Sequence, residues 1–167
     1  MLFHNDTLSR YRLIHFATHG QVDDSDPTKS GLVLSFFNEQ GDPVPNTERL
    51  LFMDDLFGLT LSADVVVLSS CRTGLGAEVT GEGLVGLSQG FLSAGASSVV
   101  VSLWSVNDEA TAVLMEQFYQ IMLDKLEDDD TPAPADALRR AQLKLWEDER
   151  WRNPYFWAGF TVQGEWR

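Results

Sequence analysis

Two rhythms of apolar residues alternate along this chain. Short, nearly unbroken apolar runs occur at residues 12–18, 31–37, 65–68, 97–103 and 155–163. The runs 31–37, 65–68 and 155–163 are bounded on both sides by glycine, proline or small polar residues, which is the pattern of strands. Between them the spacing becomes helical. Residues 50–57 (LLFMDDLF) read as a short amphipathic helix, and residues 84–94 place Leu84, Leu87, Phe91 and Ala94 on one face, with Gly95 as the stop. A long helix is expected over 107–126, with Ser105 or Asn107 as its cap and Asp108 and Glu109 in its first turn. Another is expected over 135–149. Residues 1–10 read as a lead-in or the tail of a helix, and residues 41–45 form a turn able to close a short hairpin. The polar stretches 21–30 (QVDDSDPTKS) and 127–134 (EDDDTPAP) are connectors.

Strand and helix alternate, so the fold class is α/β, with right-handed crossovers and helices on both faces of a mostly parallel sheet. The near-continuous runs VVVL and SSVVVSL suit strands covered on both sides. No repeat or internal boundary divides the 167 residues, and residues 1–167 are expected to form a single domain. The first strong strand already carries candidate chemistry, whereas a doubly wound domain usually has strands before that point.

Composition narrows the classes of function. Hydrophobic residues make up 44%, enough for a packed core. A net charge of -13 argues against a nucleic-acid or anionic lipid partner and is compatible with attraction of basic peptides. One cysteine precludes an internal disulfide and suits a reducing, cytoplasmic setting. The amino end is too polar for a secretory leader, and no apolar run has the length of a membrane helix.

The chemistry concentrates at two strand ends. VVVLSSCRTG, residues 65–74, runs into Cys71, and LIHFATHG, residues 13–20, runs into His19. Ligands of open α/β sheets bind outside the carboxyl ends of the strands. Cys71 and His19 therefore read as a nucleophile and its acid–base partner, with the N–H groups of Gly20 and Cys71 as an oxyanion hole. The competing reading makes Cys71 a core thiol and His19 a turn residue. His15, on the opposite face from Phe16, reads as structural. No metal and no cofactor is expected. The histidines and the single cysteine give poor zinc geometry, the acidic runs lack a calcium loop's glycine and terminal glutamate, and the glycines of 74–86 lack a phosphate-loop lysine. Trp146, Trp151, Phe156 and Trp157 are read as core or interface.

The stretches HFATHG at 15–20, SGLVLS at 30–35, LSSCRTGLG at 68–76, GEGLVGLSQGFLSAGASSVVVSLWSVNDEAT at 81–111, ALRRAQLKLW and NPYFWAGFTVQGE together resemble the CHAT domain, a caspase- and separase-related family often joined to tetratricopeptide repeats. The resemblance implies a caspase-like sheet, a Cys–His dyad at Cys71 and His19, and cysteine endopeptidase activity on a protein or peptide substrate. In the related separases a similar tryptophan-containing segment places an acid in the pocket for the residue before the scissile bond. By that resemblance Asp108 binds a basic side chain. The rival readings are a non-catalytic interaction or scaffold module in a signalling or defence complex, and acyl chemistry on a small amide. The chain resembles the carboxyl-terminal portion of the family's domain. Upstream tetratricopeptide repeats or a regulatory partner are therefore expected, as is self-association through an exposed sheet edge.

Overall fold

The computed structural model describes residues 7–21, 31–45, 49–69, 82–127 and 133–165. In chain order the elements are β1 (Leu13–Phe16), β2 (Gly20–Gln21), β3 (Gly31–Val33), β4 (Leu50–Phe52), α1 (Met53–Leu56), β5 (Val65–Leu68), α2 (Glu82–Ser93), β6 (Ser98–Ser102), α3 (Asp108–Glu127), α4 (Pro134–Glu147) and β7 (Phe160–Gly164). Short 3-10 turns cover Thr7–Arg10 and Pro154–Phe156.

The main sheet has the order β1-β5-β6-β7. β1, β5 and β6 are parallel, and β7 joins antiparallel. Helices flank both faces, the α/β arrangement compatible with a caspase-like fold. In β5 the side-chain period of two divides a continuous apolar run between two cores. Val66 and Leu68 join Val99, Val101 and Phe91 on the α2 side. Val65 and Val67 join Val100, Leu114, Phe118 and Leu145 on the α3 and α4 side. All four β5 residues are buried.

A second, antiparallel sheet of order β2-β3-β4 branches from the end of β1. Here the local pattern misleads in two places. Residues 50–57 are not one helix: Leu50, Leu51 and Phe52 pair with Val33, Leu32 and Gly31, and only Met53–Leu56 is helical. Burial of Leu51 and Leu32 in the sheet outweighs the helical spacing, and the Asp55 carboxylate accepts from the Phe52 N–H at 2.9 Å to start the helix after the strand. The apolar run 31–37 likewise ends its strand at Val33, with one further bond from the Leu34 N–H to the Arg49 carbonyl at 2.6 Å. Beyond it, the Asn38 side chain accepts from the N–H groups of Gln40 and Asp42, Gly41 takes φ 83°, and a single bridge joins Phe37 to Pro43.

The last strand also begins later than the apolar run 155–163. Asn153 Oδ1 accepts from the Tyr155 N–H, Pro154 opens a 3-10 turn, and Trp151 meets Phe156 edge-on at 5.2 Å. Pairing with β6 starts only at Phe160. Trp151 is buried, while Trp146 is exposed. Among the described residues no helix is long and apolar enough to cross a membrane.

Gly95 ends α2 as its position indicates, and the reason is steric. Its φ is +109°, and a Cβ there would lie 2.4 Å from the Leu61 carbonyl oxygen. Gly95→Ala is expected to destabilise the chain by about 1–3 kcal/mol. Gly58→Ala, where a Cβ meets only the Asp55 oxygen at 3.7 Å, should stay within about 0.5 kcal/mol of the parent. Urea unfolding of the two variants checks the pair, and equal midpoints would refute the steric account.

Candidate active site

β1 and β5 lie side by side and parallel, with Phe16 opposite Leu68 at their carboxyl ends. Beyond these ends, under the first turns of α3, opens a cleft of about 420 Å³. His15, Ala17, Thr18 and His19 from the first strand and its extension line it, with Ser69 from the end of β5 and Asp108, Thr111, Ala112 and Met115 from α3.

His15 borders the cleft because β1 alternates. Ile14 and Phe16 face the α2 core, Phe16 against Phe91 at 5.3 Å between ring centroids. Leu13 faces the α3 side, and His15 turns the same way. The His15 ring lies 5.6 Å from the Tyr119 ring, and its Nε2 is 2.6 Å from Ser69 Oγ. The tautomer decides which of the two donates. This bond ties β1 to the first residue after β5. Burial lowers the His15 pKa below its ordinary value of 6.5, because the charged ring loses hydration. Burial also pushes the Tyr119 phenol up. The Tyr119 hydroxyl and Thr111 Oγ1 are buried and find no hydrogen-bond partner among the described residues.

His19 stands where the chain passes from the main sheet to the small one. Its carbonyl accepts from the Val33 N–H at 2.8 Å, and the Thr18 hydroxyl donates to the Val33 carbonyl. Gly20 pairs with Leu32. Antiparallel pairs alternate between bonded and non-bonded, so bonding at His19–Val33 turns the Gly20 amide away from β3.

Asp108 is held from the other side. Asn107 Oδ1 accepts from the Ala110 N–H at 3.0 Å and caps α3. The connection from β6 to α3 is clamped as well. The Leu103 N–H donates to the Gly159 carbonyl at 2.6 Å, Trp104 Nε1–H to the Tyr155 carbonyl at 3.2 Å, and the Tyr155 hydroxyl to the Ser105 carbonyl at 2.9 Å. The packing at Gly159 is close, since a Cβ there would lie 3.0 Å from the Trp104 ring and Val106. Gln142 of α4 donates to the carbonyls of Trp157 and Phe160, fixing the other side of the clamp.

Of the residues singled out from sequence, His19 and Asp108 both line the cleft, and Gly20 adjoins it. Cys71, most of the glycine-rich loop after it and the acidic stretches 23–26 and 128–130 lie outside the described residues. Several lining residues carry no functional expectation from the sequence. His15 does face away from Phe16, but it also borders the cleft and bonds Ser69. Thr111 and Met115 follow Asp108 on one face of α3, three and seven residues on, a spacing that would have disclosed them. Among the described residues no group of three or more His, Cys, Asp and Glu side chains is placed to hold a metal ion.

The lowered His15 pKa has a consequence for stability. The unfolded chain binds the proton near pH 6.5, while the folded chain resists it. Acidification through 6.5 toward the lower folded midpoint therefore favours unfolding, and above 6.5 the effect is absent. An NMR titration of the His15 ring should give a midpoint below 6.5. In a His15→Gln variant the loss of stability between pH 6.5 and 5 should be shallower. A midpoint at or above 6.5 would contradict the burial of this ring.

The family model described as "CHAT domain" matches residues 3–165. Tetratricopeptide repeat protein 28 of Mus musculus is 38% identical over 120 residues, which is 72% of this chain and 5% of that protein. The Homo sapiens protein of the same name is 33% identical over 120 residues, again 72% of this chain and 5% of the relative. The chain thus corresponds to a small fraction of the length of these relatives, within proteins named for tetratricopeptide repeats. With the match spanning nearly the whole sequence, this chain belongs to the CHAT domain family.

Proposed function

We propose that the chain is a cysteine endopeptidase that uses Cys71 and His19 and cleaves after a basic residue. The supporting observation is the register of the two parallel strands. Each β1 residue sits beside the residue 52 positions later, and the same 52 positions separate His19 from Cys71. His19 and Ser69, two residues before Cys71, line one cleft.

In this reading His19 takes the Cys71 proton and the thiolate attacks the peptide carbonyl carbon. The Gly20 and Cys71 N–H groups receive the negative charge that develops on the oxygen. The C–N bond breaks as His19 passes the proton to the leaving amine, leaving a thioester. Water then attacks the thioester and gives a proton to His19, and the departing sulfur recovers it. The products are a carboxylic acid, an amine and the free thiol. Asp108 accepts hydrogen bonds from the basic side chain of the residue before the cleaved bond. The names of the relatives support placing this chemistry beside tetratricopeptide repeats.

A fluorogenic peptide panel tests the proposal. Cleavage is expected after arginine and lysine and not after aspartate. It should fall to background in Cys71→Ala and by about 10²–10⁴-fold in His19→Ala. Asp108→Ala should lower kcat/KM for basic substrates by about 10–100-fold, the worth of a lost charge-assisted hydrogen bond. Iodoacetamide should alkylate native Cys71 quickly near neutral pH and more slowly in His19→Ala. Cleavage after aspartate, or alkylation only after denaturation, would overturn the reading.

A further inference from the structure

We infer that His15 and Ser69 are a positioning pair, whose hydrogen bond holds the chain leaving β5 in the orientation that lets the thiol two residues on pair with His19. The inference rests on the Cys71–His19 reading for the group that is positioned, and on separate observations for the pair itself. Ser69 is the first residue past β5, is 8% exposed and lines the cleft. It is tied to β1 twice. Its N–H donates to the Phe16 carbonyl at 3.2 Å, and its Oγ lies 2.6 Å from His15 Nε2. The backbone bond closes the ladder between the strands. The side-chain bond adds a second point away from that line, so Ser69 can neither slide along β1 nor turn about its own strand axis.

The His15 end is held as well. Its ring stands 5.6 Å from the Tyr119 ring of α3, and its backbone is in register with Val67 of β5. The pair thus links β1, β5 and α3, the three parts of the chain that border the cleft. The bond does not depend on the charge of His15. A neutral ring donates or accepts at Nε2 according to its tautomer, and a protonated ring donates there. Such a bond adds little net stability, because apolar groups of similar shape could replace both partners at almost no cost. Placement is the stronger reason for it. Reacting groups tolerate little displacement, and a shift of about 1 Å can cost about 10²-fold in rate.

Alkylation of the single cysteine tests this without requiring turnover. Iodoacetamide rates are measured against pH in the parent, Ser69→Ala, His15→Phe, their double variant and His15→Gln. His15→Phe keeps a ring against Tyr119 but removes Nε2, whereas His15→Gln keeps a side-chain N–H donor. His19, Asp108 and Tyr119, the other ionisable groups beside the cleft or the pair, are the same in every variant. The parent's half-maximal pH should lie below about 8.5, the free-thiol value, and should return toward it in Ser69→Ala and in His15→Phe. The double variant should be no worse than either single one, as for one shared bond, and His15→Gln should stay near the parent. In Ser69→Ala and His15→Phe, kcat for peptide cleavage should fall about 10–100-fold with KM within about twofold. A role in folding alone would lower the urea midpoints and leave the thiol profile of the folded chain unmoved. That result, or additive losses in the double variant, overturns the inference. A low parent value that rises in the variants, without peptide cleavage by the parent, sustains the pair and sinks the peptidase. Cleavage by the parent that Ser69→Ala leaves untouched does the reverse. A parent value equal to that of a free thiol overturns both.

Discussion

The parallel pairing of β1 with β5 is the constraint on which the rest depends. Neither strand exceeds four residues, so their ladder alone is weak. It is stable because β5 is buried on both faces and its register cannot slip. A shift of one residue would exchange the side chains assigned to the α2 core and the α3–α4 core. At the amino ends the Asp64 N–H donates to the Arg12 carbonyl at 2.7 Å, and Arg12 Nε–H donates to Asp64 at 2.6 Å. At the carboxyl ends the Ser69 N–H donates to the Phe16 carbonyl, and Ser69 meets His15. The exposed ion pair contributes little by itself. The buried core fixes the alignment, and the alignment brings distant parts of the sequence to one edge.

Helix α3 has two duties that compete for its surface. Leu114, Phe118 and Met122 bury the sheet face, while Asp108, Thr111 and Met115 form a wall of the cleft. A helix can do both because its apolar stripe need not run to its end. The first turns extend past the strand ends, where the sheet no longer covers them. Their position is set by the clamp between the β6–α3 connection and residues 154–159, so aromatic residues near the chain's end support a cleft whose other wall is near its beginning.

Electrostatically the cleft sets one carboxylate, Asp108, in a lining that is otherwise free, among the described residues, of acidic side chains. His15 is held toward its neutral form by burial, and Ser69 and Tyr119 beside it are neutral. Asp108 is exposed at the start of α3, where the helix dipole also favours its charge.

Much of this architecture is local and so was legible in the sequence. VVVL and SVVV have the pattern of strands buried on both faces, and they form them. Asn107 and Gly95 marked the start of one helix and the end of another, through a cap and a positive φ that few residues supply. His19 and Asp108 could be assigned to strand and helix ends, and strand ends are where such sheets expose chemistry. What the sequence could not decide was competition between local patterns and distant partners. Leu50–Phe52 has helical spacing but forms a strand because β3 is there to pair with it. Residues 155–159 look like a strand but turn, because Asn153 and Pro154 cap them and Trp104 packs against Gly159. His15 shows the same limit at the site. Its period-two position determined which face it takes, but its contact with Ser69, 54 residues away, exists only because two strands share a register. Side-chain direction follows from local geometry, whereas the partner a side chain meets depends on how the whole chain packs.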